Sequence, residues 1–63
     1  MQNNEFKVGD LVIVDKCIDD PVAEVYLNDH ATIIEMRPPY AKIQFLNNDI
    51  HTVLITNLRK QSN

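Results

Sequence analysis

The stretch Tyr40-Ala41-Lys42-Ile43-Gln44-Phe45 decides the fold. Ala41, Ile43 and Phe45 alternate with Tyr40, Lys42 and Gln44 without a break. Successive Cβ atoms of a strand point to opposite faces, so this pattern makes a strand with one buried face. Asn47-Asn48-Asp49 follows as a hairpin turn, and Ile50-His51-Thr52-Val53-Leu54 returns beside it with Val53 as its inward anchor. On the other side, His30 to Arg37 contains Ala31-Thr32-Ile33-Ile34-Glu35-Met36 and reads as a further strand. Arg37-Pro38-Pro39-Tyr40 joins it tightly to the first stretch, since proline fixes φ and removes a ladder donor.

Outward from this meander, Phe6-Lys7-Val8 leads into the turn signal Gly9-Asp10 and then Leu11-Val12-Ile13-Val14. That apolar, mostly β-branched run suits a strand buried on both faces or lying close to a barrel axis. Towards the carboxyl end, Ile55-Thr56-Asn57-Leu58 reads as one 3₁₀ turn, after which Arg59-Lys60 adds a short closing strand. Cys17 to Asp29 is too long for a simple hairpin loop, and connections of that length carry local structure or function. Within it, Ala23-Glu24-Val25-Tyr26-Leu27 fits either a helical turn or a hairpin tip, and a small core calls for Val25 or Leu27 to be buried. With Gly9 the only glycine, the remaining turns fall to asparagine, which tolerates left-handed backbone better than other non-glycine residues.

Sixty-three residues allow one domain, expected to span 1–63 with 1–5 and 61–63 flexible. A hydrophobic content of 44% is that of a globular chain. The single Cys17 excludes an internal disulfide and a multi-thiolate zinc site, and it points to a reducing, cytoplasmic setting. No apolar run reaches the roughly 20 residues that cross a bilayer, and the polar start Met1-Gln2-Asn3-Asn4-Glu5 lacks the pattern of a signal peptide. Neither membrane nor export is expected. The short, Asn-rich composition fits a phage or AT-rich bacterial genome.

The net charge of −3 opposes generic nucleic-acid binding, yet the charge is two-sided. From Asp15 to Asp29 the chain carries Asp15, Asp19, Asp20, Glu24 and Asp29 against Lys16. From His30 onward it carries Arg37, Lys42, Arg59 and Lys60 against Glu35 and Asp49.

The pieces FKVGDLVIV (6–14), NDHATIIEM (28–36), YAKIQFLNND (40–49) and HTVLITNLRK (51–60) together resemble the SH3-like small-barrel superfamily, which includes SH3, Tudor, KOW and integrase carboxy-terminal modules. The resemblance implies an all-β, five-stranded SH3-like barrel with a long first loop and a 3₁₀ turn before the last strand. Where many such proteins begin the second strand with glycine, this chain has Ala31. Such modules bind proline-rich peptides, methylated side chains or nucleic acid. The only aromatics here are Phe6, Tyr26, Tyr40 and Phe45, so the tryptophan platform of a peptide groove is missing and no full aromatic cage assembles.

These readings lead to a non-catalytic protein-interaction module, an accessory subunit or small regulator. Its acidic loop (Asp19, Asp20, Glu24 and Asp29, with Tyr26 as anchor) would dock on a basic partner surface. A solvated polar loop is the plainer alternative. A second function class is a KOW- or integrase-type nucleic-acid binder, with Arg37, Tyr40, Lys42, Arg59 and Lys60 on one basic face. A third is self-assembly through an open strand edge. Asp19, Asp20, Asp29 and His30 lack metal-loop spacing, so no metal or other cofactor is expected. Cys17 reads as an inert small hydrophobe, and His30 and His51 as isolated residues on strand surfaces. No nucleophile–base pair or glycine-rich phosphate loop is present, so no enzyme is expected.

Overall fold

In the computed structural model, which describes residues 6–61, five antiparallel strands form one open sheet. In chain order these are β1 (Leu11–Val14), the one-turn helix α1 (Pro21–Val25), β2 (His30–Arg37), β3 (Tyr40–Phe45), β4 (Ile50–Leu54), a 3₁₀ turn (Ile55–Asn57) and β5 (Leu58–Lys60). The spatial order β4-β3-β2-β1-β5 leaves β4 and β5 as edges. Five antiparallel strands, the long first loop and the 3₁₀ turn match the sequence expectation, but no strand ladder joins β4 to β5. The tails 1–5 and 62–63 lie outside the described residues. Gln61 is described, and its backbone amide donates to the Leu11 carbonyl at 3.0 Å, extending the β1–β5 ladder.

One face of the sheet is the core. Val12, Val14, Ala31, Ile33, Ala41, Ile43, Phe45, Val53 and Leu58 are buried there, joined by Ala23 from the helix. The alternation of β3 is realised residue for residue, and Val53 is its fully buried neighbour across the Ala41–Val53 pair. β1 departs from expectation, because it alternates instead of being buried on both faces. It is a central strand of a single sheet, so Val12 and Val14 enter the core while Leu11 stands out in solvent.

Between Ile33 and Glu35 the β2–β3 register slips by one residue at a bulge. The extra residue restores the facing so that Glu35 lies opposite Lys42. Left-handed backbone occurs at Gly9 (φ 98°), Asp19 (φ 54°), Asn28 (φ 71°) and Asn48 (φ 74°), so asparagine makes two of the turns as the composition suggests. Among the described residues no helix is long and apolar enough to cross a membrane.

Candidate functional site

The connection from Cys17 to Asp29 is held by two buried polar side chains. Asp20 is the N-cap of α1, where its Oδ1 accepts from the Ala23 amide at 3.2 Å, and Pro21 fits the first turn. Its Oδ2 accepts from the Leu54 amide at 2.9 Å and from Asn57 Nδ2 at 3.4 Å, tying the helix start to the β4 edge. Asn57 completes the bracket: its Oδ1 accepts from the Ile18 amide at 3.2 Å and its Nδ2 donates to the Ile18 carbonyl at 3.1 Å. The Asn57 carbonyl also accepts from the amides of Asp15 and Lys16. At the far end, Asn28 N donates to Val14 O at 2.7 Å and Val14 N to Asp29 O at 3.0 Å, which returns the chain into the sheet.

Thus the helical alternative holds with shifted bounds, Pro21–Val25 with Tyr26 as C-cap and Leu27 in the turn that follows. Asp20 is a structural cap facing inwards rather than an exposed charge for a partner. Ala23 is the loop residue that enters the core, with Cys17, Val22 and Tyr26 packed partly against it. Val25 and Leu27, of which one was expected inside, are both exposed. Once Asp20 and Ala23 face the sheet, the 100° step of a helix turns Val25 outward, and it is 75% exposed. Ile18, in the turn before the helix, is 63% exposed.

Tyr26 is committed to the fold. Its ring stacks on Phe45 with centroids 4.1 Å apart and lies 4.8 Å from that of His51. Its Oη donates to Asp49 Oδ2 at 3.0 Å and lies 2.9 Å from His51 Nε2. With the phenol proton given to Asp49, the contact with His51 is satisfied when Nε2 carries the imidazole proton. Desolvation raises the Tyr26 phenol above its ordinary value, and the bond to Asp49 and the negative charges of Asp49 and Asp29 raise it further. His51 therefore belongs to the core side, paired across from buried Ile43, and not to an open strand surface. His30 is exposed as expected, and its Nδ1 lies 3.0 Å from Gln61 Oε1. Beside this aromatic cluster is a shallow hollow of about 260 Å³ lined by Tyr26, Asp29, His30, Phe45, Leu46 and Asn47. Leu46, at its rim, is 88% exposed.

Four of the six cations are ion-paired, and Lys7 and Lys16 are in no ion pair among the described residues. Arg37 and Lys42 both pair with Glu35, Lys42 at 3.3 Å. Those two contacts hold the Glu35 carboxyl below its usual range, the Arg37 bond contributing most. Arg59 pairs with Asp15 at 3.4 Å and Lys60 with Asp10 at 3.6 Å. Asp19, Glu24 and Asp29 have no cation within ion-pair distance among the described residues.

The five residues of the proposed basic face do not share one face. Arg59 aligns with Ile13 and Lys60 with buried Val12, on opposite sides of the sheet, as adjacent strand residues must be. Arg37, Tyr40 and Lys42 cluster separately across the β2–β3 pair. Among the described residues no three His, Cys, Asp or Glu side chains gather in a metal-binding group. Comparison with protein families, with characterised proteins and with solved structures finds no match to this chain.

The residues that sequence reasoning passed over are Asn57 and Leu46, whereas Ile18, readable from sequence as either a lid on the core or an exposed apolar anchor, is exposed. Asn57 carried no signal beyond its place in a 3₁₀ turn. Leu46 carried one, as a large apolar residue set among turn residues.

Proposed function

We propose that this chain is an SH3-like barrel whose sheet is completed by the Cys17–Asp29 connection, and that it is a non-catalytic docking module. Its binding surface is the outward side of that connection, where Ile18, Val25 and Leu27 are exposed among the carboxylates of Asp19, Glu24 and Asp29. The partner is a protein surface with an apolar hollow rimmed by lysine or arginine.

The observation that carries the reading is the uneven pairing of charge. Arg37, Lys42, Arg59 and Lys60, four of the six cations, each already lie beside a carboxylate. Asp19, Glu24 and Asp29, like Lys7 and Lys16, have no ion-pair partner among the described residues. Free charge on a rim steers encounter and selects partners, and exposed apolar side chains within that rim supply the desolvated centre. Tyr26 and Asp20 support this surface from beneath and do not contact the partner. Nucleic-acid binding draws less support, because its cations are paired and lie on both sides of the sheet. The lone Cys17, half-buried against the core, suits a reducing compartment such as the cytoplasm.

The test is capture of partners from the native cell by the wild-type chain and by the triple variant Asp19→Asn, Glu24→Lys, Asp29→Lys, read by mass spectrometry. Asparagine at position 19 respects the positive φ there. The variant is expected to keep its far-UV spectrum and lose the salt-sensitive partner. Equal capture by both proteins overturns the reading.

A further inference from the structure

The two sheet edges are unequally protected. β5 has three residues, two of which, Arg59 and Lys60, are charged and ion-paired. β4 has five, Ile50-His51-Thr52-Val53-Leu54, with no acidic residue, lysine, arginine or proline. Natural edges are usually blunted by charge, proline, brevity or a covering helix or loop. β4 has none of the first three, and α1 with its cap Asp20 packs against it, covering the edge at the Leu54 end and leaving Ile50 to Thr52 open.

The hydrogen-bond phase shows what β4 offers. Phe45 N donates to Asp49 O and Ile55 N to Pro39 O, so odd-numbered residues of β4 bond towards β3. The amides and carbonyls of Ile50, Thr52 and Leu54 therefore point away from the sheet. The Asp20 carboxylate takes the Leu54 amide, and the amides of Ile50 and Thr52 are left without a protein acceptor among the described residues. The same phase on β5 gives less. Gln61 N bonds to Leu11 O, which turns the Leu58 and Lys60 amides outward, and Leu58 N is already bonded to Ile55 O. One free donor at Lys60 is too little for a β4–β5 contact to propagate a ring or filament.

We propose that β4 is an assembly edge that pairs antiparallel with β4 of a second copy of this chain, across a two-fold axis at His51. In that register Ile50 lies opposite the partner's Thr52 and Thr52 opposite the partner's Ile50, both as hydrogen-bonded pairs. Every outward donor that Asp20 leaves free is then satisfied. A two-fold axis at Thr52 would instead require the Leu54 amide that Asp20 holds. The two-fold arrangement is isologous, so one patch serves both copies. It sets no carboxylate directly across the ladder from another, because Asp49 falls opposite the partner's Val53, and at the axis His51 faces the partner's His51. On the solvent face Ile50, 48% exposed, packs beside the partner's Thr52, and each His51 stays with the Tyr26 hydroxyl of its own copy. This inference is independent of the docking surface proposed on the Cys17–Asp29 connection.

Sedimentation equilibrium across a concentration series tests it, together with amide exchange at Ile50 and Thr52. The expected result is a mass rising from 7.3 kDa towards twice that value, with both amides slowing as the mass rises. Thr52→Pro removes an outward amide that β3 does not use, a position where an edge strand tolerates proline. It is expected to stay folded and remain monomeric throughout. A wild-type chain that is monomeric at millimolar concentration overturns the proposal. So does a dimer that survives Thr52→Pro, or one whose Ile50 and Thr52 amides exchange freely. The exchange measurement needs no variant, so it decides the matter even if the proline chain unfolds. Protection that appears only with an added foreign peptide overturns self-pairing in favour of a heterologous strand.

Discussion

Replacing Asp20 is the sharpest perturbation this fold permits. Its carboxylate caps α1 through Ala23 N at 3.2 Å and takes the Leu54 amide at 2.9 Å, with Asn57 Nδ2 at 3.4 Å. Asp20→Ala loses the cap, worth about 1 kcal/mol, and strands a part-buried amide at a cost of about 1–3 kcal/mol. Asn57 keeps its bond to the Ile18 carbonyl, so the expected loss is about 2–4 kcal/mol. At roughly 0.05–0.15 kcal/mol per residue, a domain of this length holds about 3–9 kcal/mol in total. The variant therefore loses a large share of its stability, and at the low end of that range it sits near its folding threshold. Asp20→Asn discriminates further, since asparagine caps a helix as well as aspartate does. Its Oδ1 can serve Ala23, but its amide then faces the donors of Leu54 and Asn57, and the expected cost is about 1–3 kcal/mol. Asp19→Asn, one residue away but exposed and at positive φ, should change stability by less than about 0.5 kcal/mol. Urea unfolding followed by circular dichroism reads all three. A loss below about 1 kcal/mol for Asp20→Ala, or equal midpoints for Asp20→Asn and Asp19→Asn, would refute the bracket.

Two further outcomes concern titration. The Tyr26 phenol should ionise above its ordinary value of 10.0, and Asp49→Asn should bring it down, as followed by ultraviolet difference absorbance. Because folding raises this pKa, the stability it contributes is complete below 10.0 and is lost as pH climbs through the folded value. The Glu35 carboxyl should titrate below 4.5, held there first by Arg37 and then by Lys42, as followed by carboxyl carbon NMR. Its pKa is lowered, so its contribution is present above 4.5 and fades as pH falls through the folded value, and Glu35→Gln should remove that acid limb.

The strands were legible because each has a solvated face and a covered one. Ala41, Ile43, Phe45 and Val53 state their burial through period-two spacing, and Asn48 marks its turn by the backbone conformation asparagine tolerates. β1 was misjudged because four apolar residues in a row carry no phase, and only the open side of the sheet shows that Leu11 is solvated. The connection was harder to read. A five-residue helix is too short to declare itself through periodicity, and its position depends on Leu54 and Asn57, 34 and 37 residues beyond Asp20. No local pattern distinguishes the buried Asp20 from the exposed Asp19 beside it. Counting both as one acidic patch was therefore natural from sequence and wrong in space. His51 was misplaced because the partner that covers it, Tyr26, arrives from that same connection.

The division of labour along residues 17–29 has an evolutionary consequence. Asp20, Ala23 and Tyr26 serve the scaffold, while Ile18, Asp19, Glu24, Val25 and Leu27 carry none of its inward side-chain contacts. Because the two sets interleave along the chain, the outer positions can drift or be randomised while the inner ones hold the backbone still, with Asp19 confined by its positive φ to Asp, Asn or Gly. A lineage of such chains could exchange one partner for another through substitutions at those outer positions, without insertion, deletion or loss of the sheet beneath. The same interleaving makes the segment a natural place for a combinatorial library on a scaffold of only 63 residues.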